Sequence, residues 1–248
     1  MIAVVLAAGE GTRFFESGAT VYKQVFKYKN EPLIERIVRL LDESDLFISI
    51  CVVLGQNEMC NIEIKKALQN YSVTYVLNQN SREDNNFLSL FAAIEAHKNN
   101  YNGGMLVVES DCIFDQSDIH SIINASKKDE VVWANIGEKK IKQAGGLLFG
   151  IKHKNIYKID EIKIVKNPEI DPLLLNKYKF IMKMFGLTFF STNALKLYLV
   201  LAQNYKYEKN IYFHQPIIDN VKKFTNISVK MSPDSTSFNT LSEYNINN

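Results

Sequence analysis

The stretch IAVVLAAGEGTR, residues 2–13, decides the fold because it joins a buried strand to a loop that contains glycine. Its first five residues are all apolar, which is typical of a central strand covered on both faces. Gly9 and Gly11 let the backbone turn tightly and let a ligand approach it closely. A phosphate can bind the N–H groups of such a loop, and Arg13 and Lys23 can add positive charge. The stretch therefore predicts an anion-binding loop after the first strand.

Two well-known phosphate-binding motifs do not fit this loop. A dinucleotide-binding fingerprint requires a third glycine where this chain has Phe14, and a P-loop requires Gly-Lys-Ser/Thr, which the loop lacks. An ordinary turn is the simplest alternative, because glycines often follow strands. The basic residues Arg13 and Lys23 favour the interpretation as a phosphate loop.

With Lys23, the loop resembles the L-A-A-G-x-G-x-R…P-K signature of nucleotidyltransferases that activate sugar phosphates and other small phosphates. The resemblance implies that Arg13 contacts the outer phosphates of a nucleoside triphosphate and that Lys23 contacts its α-phosphate. One difference is Tyr22, which stands where the family usually has proline before the lysine. The other loop residues that the resemblance places against the nucleotide are Leu6, Ala7, Ala8, Gly9, Glu10, Gly11 and Thr12.

Strands and helices alternate along the first 130 residues, which predicts an α/β fold. The alternation predicts a mostly parallel sheet with helices on both faces. The resemblance implies a three-layer, Rossmann-like arrangement with a mixed sheet, similar to the GT-A fold. Ligands bind at the carboxyl ends of the strands in such sheets. The predicted strands are 2–6, 48–54, 73–77 and 105–108, and the predicted helices are 33–41, 58–69 and 87–96.

The alternation breaks down after residue 130, where the sequence predicts the part that holds the second substrate. A chain of 248 residues is long enough for one catalytic domain, 1–248. We divide it into a nucleotide-binding part, 1–130, an acceptor part, 131–236, and a closing segment, 237–248. In the acceptor part we expect strands at 131–136, 145–150, 184–190 and 227–230 and helices at 192–203 and 212–223.

The charge of the chain is unevenly distributed. Residues 139–230 contain 17 lysines and 6 acidic residues, whereas the whole chain has a formal net charge of only +2. A solvated surface is the simplest explanation, and an anionic substrate pocket is the next. Nucleic acid ranks lower as a partner, because no nucleic-acid motif and no cluster of arginines with aromatic residues accompanies the charge.

The sequence also predicts the compartment. The first strand begins at residue 2, which leaves no room for a signal peptide, and no apolar run approaches the length of a membrane span. Cys51, Cys60 and Cys112 form no C-x-x-C pair and are odd in number, which favours packing roles in a reducing compartment. We therefore expect a cytoplasmic protein, either a monomer or a homodimer, that makes no contact with a membrane.

Glu109 and Asp111 lie where the strand 105–108 ends, so two carboxylates reach the ligand edge of the sheet. Magnesium prefers one or two carboxylates together with substrate phosphates, and Asp111 is the expected ligand. A capping or loop role is the alternative for acids in this region, and Asp115 or Asp118 could cap the helix that follows. Glu109-Ser110-Asp111 also resembles a degenerate D-x-D motif of glycosyltransferases, although such enzymes would not need Arg13 and Lys23 for a triphosphate.

Asn78 and the run Asn85-Asn86-Phe87-Leu88-Ser89-Leu90 resemble a segment of CTP:phosphocholine cytidylyltransferases and related small-phosphate cytidylyltransferases. An amide offers both a donor and an acceptor, and can pair with the edge of cytosine. The resemblance implies that Asn85, Asn86 and Ser89 lie near the nucleotide. Alternatively, Asn85 caps the helix 87–96 and Ser89 is solvated or packed.

The carboxyl-terminal run SFNTLSEY, residues 237–244, resembles the closing segment of the same enzymes. An aspartate is the second magnesium ligand there, and this chain has Asn239 instead. An amide oxygen can bind Mg²⁺ but adds no negative charge, so we expect weaker metal binding. The substitution also fits a nucleotide-binding sensor without catalytic activity.

The acceptor itself is less well defined. We expect it near Trp133, Ala144-Gly145-Gly146, Lys183, Gly186 and Tyr212–Gln215, where an aromatic cage for a quaternary ammonium and polar contacts both remain open. The resemblance implies transfer of CMP from CTP to a small phosphorylated or phosphonate metabolite, with release of pyrophosphate. The expected acceptors are phosphocholine-like compounds, amino acid phosphates such as phosphoglutamine, and aminoalkylphosphonates, used to decorate surface polysaccharide or lipid. A sugar-1-phosphate nucleotidyltransferase that uses UTP or dTTP is the nearest alternative.

Overall fold

The structure is a computed structural model. It describes residues 1–83, 86–98, 102–126, 130–137, 145–154, 156–165 and 177–246. No helix in these ranges is both long enough and apolar enough to cross a membrane.

Short helices and strands alternate along the chain from its first strand. The strands are β1 Ile2–Leu6, β2 Lys27–Tyr28, β3 Glu31–Pro32, β4 Ser49–Leu54, β5 Thr74–Leu77, β6 Met105–Glu109, β7 Cys112–Ile113, β8 Glu130–Asn135, β9 Gly145–His153, β10 Ile156–Val165, β11 Phe180–Phe190, β12 Thr225–Lys230 and β13 Thr236–Ser237. The helices are α1 Thr12–Glu16, α2 Leu33–Asp42, α3 Glu58–Ala67, α4 Phe87–Ala96, α5 Gln116–Ala125, α6 Thr192–Ala202, α7 Gln215–Ile218 and α8 Leu241–Ile246.

Nine strands form one mixed sheet in the order β5-β4-β1-β6-β11-β8-β12-β10-β9. The first four are parallel to one another, and β8 is parallel to β12. Following the pairings across the sheet, seven of these nine strands point in one direction, and only β10 and β11 run against them. The predicted mixed, mostly parallel sheet is confirmed.

The sheet is covered by helices on both faces. Along β1, Ile2 and Val4 pack into one apolar cluster, which α4 and α6 cover, whereas Ala3 and Val5 pack into the other, which α2, α3 and α5 cover. Alternate residues of a strand point to opposite faces, so a wholly apolar strand requires this double cover. The three-layer α/β architecture is therefore as predicted.

The first half of the sheet places its carboxyl ends at one edge. β1, β4, β5 and β6 end at Leu6, Leu54, Leu77 and Glu109. β1 pairs in register with both of its neighbours, Leu6 opposite Val53 on one side and Glu109 on the other. The loops after these strands therefore converge, as the pattern predicted.

The predictions for the acceptor part were less accurate. The single helix expected over 212–223 is wrong: α7 covers four residues, and a separate 3₁₀ turn covers Val221–Lys223. Pro216 sits in the first turn of α7, which suits a helix start and not a helix interior. β10, ten residues long, was not predicted, and β9 and β11 are longer than expected. β9 pairs antiparallel with its sequence neighbour β10, starting from His153 opposite Ile156, and also with the more distant β11, which a local pattern does not connect to it.

Candidate active site

The predicted phosphate loop lies between β1 and α1. Gly11 has φ +68° and precedes α1, so a residue with a Cβ would be strained there. The buried Gln24 side chain donates two hydrogen bonds, to the Ala7 carbonyl at 3.1 Å and to the Gly9 carbonyl at 2.6 Å. These two hydrogen bonds fix the backbone of the loop at Ala7 and Gly9. Sequence analysis missed Gln24, because no spacing or motif distinguishes a glutamine beside Lys23.

The individual loop residues differ in exposure. Leu6, Ala7 and Ala8 are buried at the end of β1, whereas Gly9, Thr12 and Arg13 are exposed. Glu10 forms an ion pair of 2.9 Å with Arg82, which lies in the loop that follows β5. The placement of all these loop residues against a nucleotide stays a prediction.

Lys23, Asp111 and Asn239 meet at one point of the structure. Lys23 Nζ lies 2.7 Å from Asp111 Oδ2 and 3.4 Å from Asn239 Oδ1. The lysine side chain is largely buried and also lies over the ring of Phe238, 5.5 Å from its centroid. Arg13 Nη2 donates to the same Asn239 oxygen at 2.9 Å. Four residues predicted from three separate motifs are thus brought together.

The closing segment reaches this point by pairing with the loop after β6. β13 pairs antiparallel with β7, with Thr236 opposite Ile113 and Ser237 opposite Cys112. Asn239 follows β13 and Asp111 precedes β7, so the antiparallel register brings the two side chains to the same end of the pair. The backbone N–H of Asn239 donates to Glu243 Oε2 in α8 at 2.6 Å, and this bond fixes the orientation of the closing segment.

The donor set fits magnesium. Asp111 Oδ2 and Asn239 Oδ1 both face the ammonium group of Lys23, so two hard oxygen donors already converge on a cation. Within the described ranges, no group of three or more His, Cys, Asp or Glu side chains could hold a metal by itself. A site with one carboxylate and one amide oxygen matches Mg²⁺, which usually completes its shell with water and substrate phosphates.

Glu109 lies beside this centre and is half-buried. Burial, and then the charge of Asp111, raise the pKa of the Glu109 carboxyl to about 7, although Lys23 and a hydrogen bond from Asn86 oppose the shift. Gly186 on β11 packs against it: a Cβ at this glycine would lie 3.0 Å from Glu109 Oε2 and 2.6 Å from Cys112 Sγ. Only glycine fits between these side chains without displacing them.

The described side chains of the asparagine run make hydrogen bonds within the protein. Asn78 Nδ2 donates to Ser89 Oγ at 2.9 Å, and both side chains are buried. Asn86, and not Asn85, precedes the first residue of α4, and its side chain makes no capping hydrogen bond. Asn86 Nδ2 donates instead to Glu109 Oε1 at 3.4 Å. Asn85 lies outside the described residues.

The alternative capping role applies to other acids. Asp115 and Asp118 form a capping box at the start of α5, as their spacing suggested. Asp118 is buried and also accepts hydrogen bonds from Ser232 and Ser235, which hold the chain just before β13. The acid after β6 that joins the lysine centre is therefore Asp111.

In the acceptor part, Lys183 and Gly145 are adjacent. A Cβ at Gly145, which has φ +120°, would lie 2.7 Å from Lys183 Nζ. Burial lowers the pKa of Lys183 to about 8, against the opposing attraction of Glu243. A buried basic group thus stands on the acceptor side of β11, close to the closing segment. Ala144 lies outside the described residues.

The predicted aromatic residues of the acceptor part are mainly core. Trp133 is fully buried, and its Nε1 donates to Asn226 Oδ1 at 3.0 Å. His214 lies between the rings of Phe213 and Trp133, with centroid separations of 3.7 and 5.5 Å. Burial lowers the pKa of His214 to about 3, so its ring is neutral at physiological pH. Tyr212 is the more exposed residue of the run.

A strand, a glycine loop, and a lysine paired with a carboxylate at the carboxyl edge of a mixed sheet are the arrangement of an NTP transferase domain. The chain belongs to the MobA-like NTP transferase domain family, whose model matches residues 3–180.

One curated relative and two solved structures illustrate the similarity. The bifunctional protein GlmU of Methanococcus aeolicus is 26% identical over 187 residues, which cover 75% of this chain and 42% of that protein. The chain thus spans less than half the length of this relative. CTP:phosphocholine cytidylyltransferase from Streptococcus pneumoniae superposes with a TM-score of 0.71 at 17% identity, covering 99% of this chain and 96% of that chain. UDP-glucose pyrophosphorylase in complex with UDP-glucose gives a TM-score of 0.73 at 15% identity, with the same coverage. At these identities the two structures establish a shared fold.

Proposed function

We propose that the protein transfers CMP from CTP to a small phosphorylated or phosphonate acceptor and releases pyrophosphate. The observation that carries the proposal is the position of Lys23 Nζ, 2.7 Å from Asp111 and 3.4 Å from Asn239, beside the phosphate loop. Such a centre holds positive charge where a triphosphate would lie on the loop. The CTP preference rests on the likeness of Asn78, Asn85, Asn86 and Ser89 to the cytidylyltransferase segment.

The proposed reaction is an in-line displacement at the α-phosphorus. An acceptor phosphate is already ionised near neutral pH, so it needs no general base. Catalysis then comes from alignment and from neutralisation of charge on the α-phosphate. Lys23 would exchange Asp111 for a phosphate oxygen, and Arg13, now on Asn239, would contact the outer phosphates. Asp111 and Asn239 would hold Mg²⁺, which supplies electrostatic stabilisation of the phosphate charge when it is bound.

Lys183 is the residue that we assign to the acceptor. Its amino group is buried, lies close to Gly145 and belongs to the part of the chain with excess lysine. Binding an acceptor phosphate would form an ion pair with this amino group, and such a pair is stronger in a partly buried site than in water. Charge of this kind suits a phosphate or phosphonate in general, so phosphocholine-like compounds, amino acid phosphates and aminoalkylphosphonates all remain in the proposal.

The cellular setting is part of the proposal. We infer that the product is an activated building block for surface polysaccharide or lipid, made in the cytoplasm by a monomer or a homodimer without nucleic acid or membrane. CTP:phosphocholine cytidylyltransferase from S. pneumoniae, a protein of the same fold, supports the choice of CTP and of a small phosphate. UDP-glucose pyrophosphorylase supports the alternative of a UTP- or dTTP-using enzyme for sugar 1-phosphates.

Pyrophosphate release tests the proposal. The purified protein would be incubated with Mg²⁺ and CTP, UTP, dTTP, ATP or GTP in turn, against pools of phosphocholine, phosphoethanolamine, aminoethylphosphonate, amino acid phosphates and sugar 1-phosphates. We expect release only with CTP and one of the first four kinds of acceptor, abolished by EDTA. Release with UTP or dTTP and a sugar 1-phosphate would overturn the choice of base and acceptor. CTP binding without release from any pool would favour the sensor.

A further inference from the structure

Asn86 occupies a left-handed backbone position at the start of α4. Its φ of +86° is rare for a residue with a side chain, although asparagine tolerates it better than most. Glycine adopts the same conformation without a steric penalty. The backbone at this position alone therefore does not require asparagine, and its side chain must be considered separately.

Both ends of the Asn86 amide contact other parts of the protein. Asn86 Oδ1 accepts a hydrogen bond from the Phe213 backbone N–H at 2.9 Å, and Nδ2 donates to Glu109 Oε1 at 3.4 Å. Phe213 is 127 residues away in sequence. The side chain thus bridges β6, at the edge where Asp111 follows, and the chain before α7.

The chain before α7 is also joined to Glu83, which precedes α4 in the sequence. Lys209 Nζ lies 2.7 Å from Glu83 Oε2, and the Asn210 N–H donates to the Glu83 carbonyl at 3.1 Å. The chain from Lys209 to Phe213 is therefore attached at both of its ends to residues that flank the start of α4. Of these attachments, the ion pair is exposed and weak, whereas Phe213 is buried.

The attached segment carries residues of the proposed acceptor part. Phe213 and His214 lie against each other, and His214 lies against Trp133. Fixing the Phe213 backbone therefore fixes the position of this buried aromatic group relative to Glu109. These contacts use one N–H and one oxygen lone pair of the amide, so the protein itself fixes the orientation of the Asn86 side chain.

We propose that Asn86 is a positioning residue for the acceptor side of the site: it holds the segment 211–214 and the Glu109 carboxylate in a fixed relation, and does not recognise the nucleotide base. The inference rests on the proposed function in assigning that side to the acceptor. It departs from the expectation that Asn86 lies near the nucleotide to read cytosine.

The test compares Asn86→Gly with Asn30→Gly. Glycine keeps the left-handed backbone at position 86 and removes only the side-chain contacts. Asn30 is also left-handed, with φ +68°, but is exposed in the turn between β2 and β3, so it is a matched control. The measurements are the CTP dissociation constant by calorimetry without acceptor, the KM for acceptor and kcat, and hydrogen exchange of the Phe213 amide.

For Asn86→Gly we expect about a tenfold rise in acceptor KM, a CTP dissociation constant within twofold of the native value, and faster exchange at Phe213. Asn30→Gly should leave all three unchanged. Asn86→Asp retains the oxygen for the Phe213 N–H but places a second carboxylate beside Glu109. It should therefore restore slow exchange while acceptor KM stays raised.

A tenfold loss of CTP affinity in Asn86→Gly with an unchanged acceptor KM would overturn the inference, as would unchanged exchange at Phe213. The result is distinguishable from failure of the proposed function. If the native protein releases no pyrophosphate with any acceptor, the proposed function fails, whereas the exchange and CTP-binding measurements still decide the role of Asn86.

Discussion

Lys23 Nζ forms an ion pair of 2.7 Å with Asp111 Oδ2, and the two residues are 88 positions apart in the chain. Each would meet a charged partner in the proposed reaction, the lysine a phosphate and the aspartate a metal ion. Their mutual contact keeps both charges compensated before substrate binds, which matters because the lysine is largely buried. The pair therefore connects stability of the free protein to binding of the substrate.

Lys23→Met should lower kcat at least a hundredfold and change the acceptor KM by less than threefold, because the lysine acts on charge that develops at the α-phosphate. It should also cost about 1–3 kcal/mol in the free energy of unfolding, because Asp111 loses its partner. The measurements are steady-state kinetics and urea denaturation. Lys27→Met, an exposed lysine on β2, is the control.

The double variant Lys23→Met/Asp111→Asn separates the two effects. It removes the uncompensated charge, so stability should recover in part while activity stays lost. Native kcat in Lys23→Met would remove Lys23 from the mechanism, whatever the change in stability.

Asn239→Asp should strengthen magnesium binding. A carboxylate at this position would add negative charge beside Asp111, within reach of Arg13 and Lys23. We expect the Mg²⁺ concentration that gives half-maximal pyrophosphate release to fall about five- to tenfold, as measured by magnesium titration at fixed CTP. Asn30→Asp serves as the control for an added surface charge. An unchanged magnesium requirement would place the metal away from Asn239.

Gly9→Ala should separate ligand binding from stability. A Cβ at Gly9 would meet no atom of the described protein within 4 Å, and its φ is not in the left-handed region. The free energy of unfolding of the variant should therefore lie within about 0.5 kcal/mol of the native value. If the triphosphate lies on this loop, the added methyl group should weaken CTP binding about tenfold or more, as measured by calorimetry. Unchanged CTP affinity would show that the nucleotide does not bind against Gly9.

The pH dependence of kcat/KM for the acceptor should follow the protonation of Lys183. Its pKa of about 8 lies below the usual lysine value, so the side chain is charged below pH 8 and loses its proton as the pH rises through 8. The kcat/KM for the acceptor should fall about tenfold per pH unit above 8. In Lys183→Met, kcat/KM should already be low at pH 7 and the fall should disappear. Lys196→Met, an exposed lysine on α6, should keep the native profile.

A stability measurement provides an independent check on the same group. The folded state binds the Lys183 proton less tightly than the unfolded state does, so the free energy of unfolding should rise between pH 8 and about 10. This rise is obtained as the difference between the native protein and Lys183→Met in urea denaturation. The opposite sign would show that the amino group is stabilised in its charged form.

Much of the fold followed from the sequence, because β1 and its neighbours are governed by local patterns. The apolar run 2–6 gave a strand at the predicted residues, and the helix expected over 87–96 is α4 as observed. The prediction of one helix over 212–223 was wrong because a proline near an apolar run is compatible with either the start of a helix or a break in it. β10 was missed because its pairing with β9 and β12 contributes to its stability as much as its own alternation.

The candidate site divides in the same way. The sequence by itself determined which residues are candidates, namely the glycine loop, Arg13, Lys23 and the carboxylates after β6, because each is recognised from residue chemistry within a short stretch. Only the tertiary structure decided which of them meet: Asn239 reaches Lys23 across 216 residues through the pairing of β13 with β7. It also decided that Gln24 holds the loop and that Asn86 bridges to Phe213. Contacts over such separations depend on the path of the whole chain, which local patterns do not encode.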